Sequence, residues 1–279
     1  MFKIKTIKSL RELTELTELT ELKKAYFDSS IVPLDGMWHF GFVPMAKHFG
    51  FYVNKNLAGF CCVNDDGYLL QFYLQPEFHL FSQKLFTLIS QQNSSIIGEV
   101  KGAFVSTSEP NYQALCLDNS ATFKVNALMY QHNTKLADEN LEMIDMQIAG
   151  TEQLTDFVSF AVDNIGAPEQ WLTQYYGNLI ARKELFGYWH EGKLLAAGEC
   201  RLFDQYQTEY ADLGMIVAQF IRGQGIAKKV LAFLTKHAST QGLSSICSTE
   251  SNNVAAQKAI AHAGFTSAHR IVQFEFKHV

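Results

Sequence analysis

Residues 210–227 (YADLGMIVAQFIRGQGIA) combine an apolar strand pattern with a glycine-bearing turn that leads directly into a helix. Gly223 and Gly225 have no Cβ atom, so the backbone of this turn can adopt unusual dihedral angles and approach a ligand closely. The unpaired N–H groups at the start of the following helix point towards the same space. The segment therefore predicts an anion-binding cradle, and phosphate is the expected ligand.

A second strand and helix follow the turn along the chain. Residues 243–250 predict a short buried strand, and a helical run follows it. The two motifs read Val217-x-x-x-x-Arg222-Gly-Gln-Gly-Ile-Ala227 and Asn253-x-x-Ala256-x-x-x-Ile260-x-x-x-Gly264-Phe265. At this separation they resemble the acyl-CoA-binding core of the GNAT N-acyltransferase superfamily, and the resemblance covers roughly residues 140–279.

The resemblance implies an acetyl-CoA site with two parts. The strand ending at Val217 is expected to diverge from the next strand, and the pantetheine arm is expected to lie in the gap. Pantetheine and thioester contacts are assigned to Met215, Ile216 and Val217, with a strand N–H polarising the carbonyl. The pyrophosphate is assigned to Arg222, Gly223, Gln224, Gly225, Ile226 and Ala227. Asn253 is expected to cap its helix, to contact the cofactor, or to do both.

Direct acetyl transfer in this superfamily also needs a base that takes a proton from the ammonium form of the acceptor. Asp212 and Glu250 are the candidates, and Glu199 is a third, because each belongs to a strand at or beside the expected gap. Each carboxylate is equally consistent with a salt bridge or a helix cap.

The departing thiolate needs a proton donor as well. Relatives commonly place a tyrosine seven residues after the asparagine or a serine three residues after it, and this chain has Ile260 and Ala256 there. Water or His262 could replace them. The resemblance therefore implies an N-acetyltransferase acting on a primary amine. The alternatives are a non-catalytic acyl-CoA-binding or interaction protein, and an enzyme that uses longer acyl or aminoacyl donors.

Other functional classes lack their sequence signals. The chain has no His-Glu-x-x-His pair, Gly-x-Ser-x-Gly elbow or phosphate-binding loop of the Gly-x-x-x-x-Gly-Lys type, so neither a metal site nor nucleotide hydrolysis is expected. The net charge of −5 and the missing basic patch argue against a nucleic-acid partner. No apolar run reaches about eighteen residues, so we expect no membrane partner and a cytoplasmic location. Five cysteines without a C-x-x-C pair indicate reduced core thiols.

The length of the chain and an internal repeat in its sequence pattern predict two domains, residues 1–136 and 137–279, joined by a polar linker over residues 132–140. Leu74 to Ser106 spans 32 residues, and Val217 to Ser248 spans 31, so the strand-to-strand spacing is repeated. In the first half the position of the phosphate turn, residues 79–84, contains no glycine. That half is expected to be a degenerate copy that supports the second.

Several local predictions place the second-half residues on secondary-structure elements. Residues 141–148 predict a strand, and Thr151 is expected to cap the next helix. Gly214 predicts a bulge or the close approach of another backbone. The core face of the helix after Gly225 is expected to contain Ile226, Val230, Leu231 and Leu234.

Three further patterns each have two interpretations. Lys228 and Lys229 reach either the ribose phosphate of CoA or solvent. Residues 164–182 are expected to line the acceptor site, where Trp171, Tyr175 and Tyr176 form a wall or are ordinary core residues. The repeated Glu-Leu-Thr unit over residues 10–22 predicts one helix, with a coiled-coil partner site as the alternative.

The fold predicted overall is α/β, or α+β in some schemes, with two tandem GNAT-like domains. Each is expected to be a mixed, mostly antiparallel twisted sheet flanked by helices, with splayed central strands in the second domain. The expected partners are acetyl-CoA and a small-molecule or peptide amine. No motif specifies the acceptor or the oligomeric state.

Overall fold

A computed structural model describes residues 3–7, 17–54, 56–136 and 142–277. The strands of this part of the chain are β1 Lys3–Ile7, β2 Lys47–Val53, β3 Asn56–Val63, β4 Tyr68–Leu74, β5 Gly102–Ser106, β6 Ser120–His132, β7 Gln147–Ile148, β8 Leu185–His190, β9 Lys193–Leu202, β10 Tyr210–Val217, β11 Ser244–Glu250 and β12 Phe265–Phe276. The α-helices are α1 Thr17–Asp28, α2 Ser82–Ser90, α3 Pro110–Asn119, α4 Leu154–Ile165, α5 Glu169–Ala181, α6 Ile226–Thr240 and α7 Val254–His262.

The chain divides into two compact units. Unit 1 contains residues 1–128 together with 269–279, and unit 2 contains residues 129–268. Both units combine strands and helices, which confirms the predicted α/β class. The domain limits of 1–136 and 137–279 stay a prediction.

Unit 1 is built on a mixed sheet with strand order β1-β2-β3-β4-β5-β12. Its strand pairs are antiparallel except for β4 and β5, which run parallel. In α1, Leu19, Leu22 and Tyr26 are buried, and their spacing of three and four residues puts them on one helix face. The predicted N-terminal helix is thus present from Thr17, and the earlier part of the leucine repeat lies outside the described residues.

Unit 2 has strand order β7-β8-β9-β10-β11, again with a single parallel pair, β10 and β11. Helix α6 packs on β9 and β10 through Val230, Leu231 and Leu234, which are buried as predicted, whereas Ile226, the fourth residue expected on this face, is only half-buried. Gly198 permits this packing, because a Cβ there would lie 3.2 Å from Leu234 Cδ1 and from Val230 Cγ1.

The two units repeat the same strand register. In unit 1, Tyr68 pairs with Gly102 and Leu69 with Ala103; in unit 2, Ala211 pairs with Ser245 and Asp212 with Ile246. Each unit 2 residue follows its counterpart by 143 positions (211 − 68 and 245 − 102). This shared register supports the internal duplication that the strand spacing predicted.

Two local predictions for unit 2 are corrected by the structure. Strand β7 contains only Gln147 and Ile148, whereas a strand over residues 141–148 was expected; Met146 is buried without belonging to the ladder. Thr151 does not cap α4, because it begins a short 3₁₀ turn that precedes the helix. The Gly150 N–H donates instead to Gln153 Oε1 at 3.0 Å.

Candidate functional site

Strands β10 and β11 separate partway along their length. Their parallel ladder covers Tyr210 to Asp212 on β10 and ends there, although β10 continues to Val217. On its other side β10 remains paired with β9 as far as Val217. Among the described residues, the β11-facing edge of residues 213–217 therefore has no strand partner, and the predicted gap is present.

The turn after β10 leaves main-chain amides open. Gly223 and Gly225 have φ angles of 81° and 77°, in the left-handed region that favours glycine. A Cβ at either position would meet no atom within 4 Å, so the space in front of both is open. The first helical bond of α6 runs from the Lys229 N–H to the Gly225 carbonyl. The amides of residues 223–227 consequently donate to no acceptor within the described part of the chain.

The Arg222 side chain holds the turn in place. Its Nε donates to the Val217 carbonyl at 3.0 Å, and its Nη2 donates to the Asn164 carbonyl at 2.9 Å. Asn164 Oδ1 in turn accepts from the Gln219 N–H at 2.8 Å. The guanidinium that was assigned to pyrophosphate thus links the turn to β10 and α4 through main-chain carbonyls. Sequence reasoning had not identified Asn164 as part of this arrangement.

Asn253 caps α7 as predicted, since its Oδ1 accepts from the Ala256 N–H at 3.1 Å. The Asn253 side chain is exposed. Ile260 is buried within the helix, and neither it nor Ala256 carries a group that could donate a proton.

Lys229 of α6 forms an ion pair with Glu142, with 2.7 Å between Nζ and Oε2. Glu142 therefore competes with the ribose phosphate of CoA, which is one of the two partners expected for Lys229.

Asp212 lies in a buried cluster of charged side chains. Arg201 Nη2 donates to Asp212 Oδ2 at 2.6 Å, and Arg201 Nε donates to the same oxygen at 2.9 Å. Arg201 Nη1 pairs with Glu199 Oε2 and also donates to Tyr175 Oη at 2.9 Å. Tyr175 donates to Glu199 Oε2 at 2.7 Å. This arrangement gives the Asp212 carboxylate a structural partner at the centre of the unit.

Burial and the neighbouring side chains together set the charge state of this cluster. The exposed fractions of Asp212, Arg201 and Glu199 are 0%, 4% and 5%. Burial lowers the pKa of Arg201, but Asp212, Tyr175 and Glu199 outweigh it and raise that pKa well above its usual value. Burial also raises the pKa of Tyr175, so its hydroxyl stays protonated at neutral pH.

Gly214 makes room for the cluster. A Cβ there would lie 2.9 Å from Glu199 Oε2 and 3.0 Å from Arg201 Nη1. The register between β9 and β10 is continuous through Gly214, so the predicted bulge is absent from this ladder. The close approach is made by side chains and not by another backbone. The sequence does contain a signal for this cluster. Glu199 and Arg201 are two residues apart, as are Asp212 and Gly214, and alternate residues of a strand lie on the same face.

Glu250 has a different environment from Asp212. It ends β11 beyond the paired segment, and its side chain is exposed. Its main-chain carbonyl accepts from the Asn253 N–H at 3.1 Å.

The aromatic residues of α5 differ in burial, and their expected place in the wall of the acceptor site stays a prediction. Tyr176 is a core residue with an exposed fraction of 1%. Trp171 is half-buried and stacks on Tyr175, with ring centroids 4.8 Å apart and planes within 9°. His262, considered as a proton donor, is exposed in the last turn of α7.

Within residues 3–7, 17–54, 56–136 and 142–277, no group of three or more His, Cys, Asp or Glu side chains is arranged to hold a metal ion. Over the same ranges, each helix is too short or too polar to cross a membrane.

Comparison with known proteins identifies the family. Residues 15–133 match a family model described as Acetyltransferase (GNAT) domain, and residues 153–265 match one described as Acetyltransferase (GNAT) family. A solved acetyltransferase of the GNAT family from Colwellia psychrerythraea is 88% identical, over 99% of this chain and 100% of that chain, with a TM-score of 0.91. The chain belongs to the GNAT acetyltransferase family. Its tandem organisation, predicted from the sequence, is confirmed by the two matches.

More distant structures share the fold of this GNAT protein. A GCN5-related N-acetyltransferase from Sphaerobacter thermophilus has a TM-score of 0.65 at 11% identity, over 100% of this chain and 97% of that chain. A tandem GNAT protein from the clavulanic acid biosynthesis pathway has a TM-score of 0.66 at 10% identity, over 98% of both chains. At these identities the likeness concerns the fold alone. A search of curated proteins found no match.

Proposed function

We propose that unit 2 transfers an acetyl group from acetyl-CoA to a primary amine. The observation that carries this proposal is the separation of β10 from β11 directly beside the open glycine turn. The first feature supplies a strand edge with free hydrogen-bonding groups, and the second supplies a set of amides suited to a diphosphate. Membership of the GNAT family supports acyl transfer as the reaction class.

The residues present fit such a donor. The main chain of Met215, Ile216 and Val217 has no strand partner on its β11 side, so the groups of this edge other than the Val217 carbonyl, which accepts from Arg222, can pair with the amide groups of the pantetheine arm. The amides of the turn face open space in which an anion can lie. The donor binding set proposed is Met215, Ile216, Val217, Arg222, Gly223, Gln224, Gly225, Ile226, Ala227 and Asn253, with Arg222 holding the turn in shape.

When bound, acetyl-CoA supplies a thioester, whose carbon–sulfur bond breaks as the bond to the amine nitrogen forms. The protein must remove one proton from the acceptor ammonium. Glu250 suits this task because it is exposed at the end of β11. Asp212 remains the second candidate, but its ion pair with Arg201 and its burial favour a structural role. After the nitrogen–carbon bond has formed, the nitrogen loses its second proton to solvent, and solvent in turn protonates the CoA thiolate, since Ala256 and Ile260 offer no donor.

The test is release of free CoA thiol when the intact protein is supplied with acetyl-CoA and a panel of primary amines. A transferase releases thiol only when a suitable amine is present. The Glu250→Gln variant is expected to lower kcat/KM by about 100-fold or more, the smaller end of the range for a lost general base. Glu191→Gln, in the exposed turn after β8, is the matched control and should retain full activity.

The missing proton donors at positions 256 and 260 favour one second candidate, a protein that binds acyl-CoA without turnover. Tight acetyl-CoA binding with no thiol release above the rate of the Gly225→Glu variant, for every amine tested, would support that candidate and contradict the transferase. Equal activity of the Glu250→Gln and Glu191→Gln variants would exclude Glu250 as the base.

A further inference from the structure

The glycine turn of unit 2 is anchored to the end of α4 mainly by one residue, Asn164. Its Oδ1 accepts from the Gln219 N–H at 2.8 Å, and its main-chain carbonyl accepts from Arg222 Nη2 at 2.9 Å. The Asp163 carbonyl adds a longer contact, 3.5 Å from Gln219 Nε2. Within the part of the chain that the structure describes, these are the only hydrogen bonds from residues 219–225 to anything beyond β10, α6 and the turn itself.

Packing contributes little to the position of this turn. Residues 219, 220 and 222–225 are exposed, and Ile221 is half-buried. Gly223 and Gly225 give the backbone additional freedom, because neither has a Cβ atom. A segment with so few buried contacts has little to hold it in one conformation. The two bonds to Asn164 therefore matter for its order.

The Asn164 side chain is itself held in one orientation. Its Nδ2 donates to the Phe160 carbonyl at 2.7 Å, one helical turn earlier in α4. A carbonyl needs a donor and the Gln219 N–H needs an acceptor, so the side-chain amide satisfies both only as it is placed. Asn164 also lies in the last turn of α4, where main-chain carbonyls lack helical partners and the helix dipole favours a cation such as Arg222.

Unit 1 shows which of these contacts belongs to the shared fold. There, residues 76–81 form a 3₁₀ helix without glycine, so the open turn is missing, as the sequence predicted. His79 Nε2 lies 2.8 Å from the carbonyl of the last β4 residue, and Arg222 Nε makes the same contact with the end of β10. His79 has no further hydrogen bond among the described residues, whereas Arg222 also reaches Asn164. The bond to the strand end thus occurs in both units, and the bond to α4 accompanies the open amides.

Asn164 also leads into the segment that is expected to line the acceptor site. Helix α4 ends at Ile165, and residues 166–168 connect it to α5. Gly166 ends the helix in the left-handed conformation, with a φ angle of 69°. Because Asn164 bonds to the glycine turn and lies two residues before Gly166, a shift of the turn is passed to this connection.

We propose that Asn164 is a positioning residue of the donor site, which holds the glycine turn in its binding conformation and couples it to the α4–α5 connection. The proposal rests on the acetyl-CoA binding proposed for unit 2. Asn164 does not have to touch the donor. A turn that is already ordered loses less conformational entropy when a diphosphate binds, so its amides bind the diphosphate more tightly.

Calorimetric titration of the full-length protein with acetyl-CoA measures the effect on affinity. Asn164→Ala removes the acceptor of the Gln219 N–H and should weaken binding about three- to tenfold, the value of one hydrogen bond. Asn164→Ser keeps a hydroxyl that can donate to the Phe160 carbonyl, but its side chain is too short to reach Gln219 as well. This variant should weaken binding to the same extent, and it replaces Asn164→Ala if that variant fails to fold.

Asn119→Ala is the matched control. Asn119 ends α3 in unit 1, and its Nδ2 donates to the Leu115 carbonyl at 2.8 Å, as the Asn164 side chain does in α4. Its Oδ1 accepts from the hydroxyl groups of Thr87 and Ser90, each at 3.2 Å. The variant loses the same kind of helix-end bonds, but none of its partners belongs to the glycine turn. Its affinity for acetyl-CoA should equal that of the wild type.

Hydrogen exchange measures the coupling separately. Saturating acetyl-CoA should slow the exchange of a wild-type peptide that covers residues 160–170, although none of these residues belongs to the proposed donor set. In Asn164→Ser, saturated with acetyl-CoA at a higher concentration, this protection should be lost. A residue that only stabilised α4 would weaken the helix without removing the response to the donor.

Three results would overturn this proposal and leave the donor site of unit 2 intact. They are wild-type affinity for acetyl-CoA in the folded Asn164→Ser variant, an equal loss of affinity in Asn119→Ala, and unchanged exchange of residues 160–170 when the wild type binds acetyl-CoA. If the wild type binds no acetyl-CoA, this proposal and the proposed function are both wrong.

Discussion

Gly214→Ala should destabilise the protein through side-chain crowding. The added Cβ would lie 2.9 Å from Glu199 Oε2, 3.0 Å from Arg201 Nη1 and 3.1 Å from Glu199 Cδ. The two side chains would have to move away by several tenths of an ångström. Both are almost fully buried and are held by Tyr175 and Asp212, so this movement must lengthen charged hydrogen bonds.

We expect Gly214→Ala to lower the free energy of unfolding by the amount that is typical of moderate overpacking. Inserting a methyl group into a well-packed interior costs about 1–3 kcal/mol, and a lost hydrogen bond to a charged group costs a similar amount. At roughly 2–4 °C per kcal/mol for a unit of this size, the thermal midpoint of Gly214→Ala should fall by about 3–10 °C. Thermal unfolding of the intact protein measures the change in midpoint, and urea unfolding measures the change in the free energy of unfolding.

Gly177→Ala is the matched control. Gly177 lies inside α5, and a Cβ there would meet nothing within 4 Å. Alanine is favoured over glycine in a helix interior by about 1 kcal/mol, so this variant should be slightly more stable than the wild type. The explanation of Gly214 would be refuted if Gly214→Ala unfolded within about 0.5 kcal/mol of the wild type, the scatter of neutral surface changes.

Variants at three further positions test other parts of the structure. Asn253→Ala removes the cap on the Ala256 N–H and should cost about 1 kcal/mol in urea unfolding, while Asn253→Asp should cost less. Asp212→Asn removes one of the two buried charge partners of Arg201 and leaves Glu199 as the other, and it should cost about 3–5 kcal/mol; a smaller loss than for Asn253→Ala would contradict the buried pair. Burial raises the pKa of Glu109 in unit 1 from 4.5 to about 7, so between these pH values the folded state holds a proton which the unfolded state has released. Wild-type stability relative to Glu109→Gln should therefore fall as pH rises through this window, by at most roughly 3 kcal/mol; a pH-independent difference would show that Glu109 titrates normally.

The features that the sequence predicted well depend on short stretches of chain. The glycine turn needs only the dihedral freedom of Gly223 and Gly225 and the helix that follows. The core face of α6 follows from the helical spacing of Val230, Leu231 and Leu234. Asn253 caps its helix through a bond to a residue three positions away. Local geometry decides each of these, so each is encoded locally.

The features that were missed depend on strand register. The Arg201 cluster brings together α5, β9 and β10, and the sequence does not state which residues of these elements face one another. Gly214 was interpreted as a bulge because its neighbours Glu199 and Arg201 become visible only once the ladder is known. For the same reason the sequence left Asp212 with two interpretations, a candidate base and a salt-bridging carboxylate.

Calorimetric titration of the intact protein with acetyl-CoA tests the central claim most directly. The predicted result is one site per chain, which is lost in Gly225→Glu because the new carboxylate fills the amide turn and repels a diphosphate. The matched change Ser82→Glu, at the equivalent position of unit 1, should leave binding unchanged. Wild-type affinity in Gly225→Glu, or loss of binding in Ser82→Glu, would show that the donor does not bind at the glycine turn of unit 2.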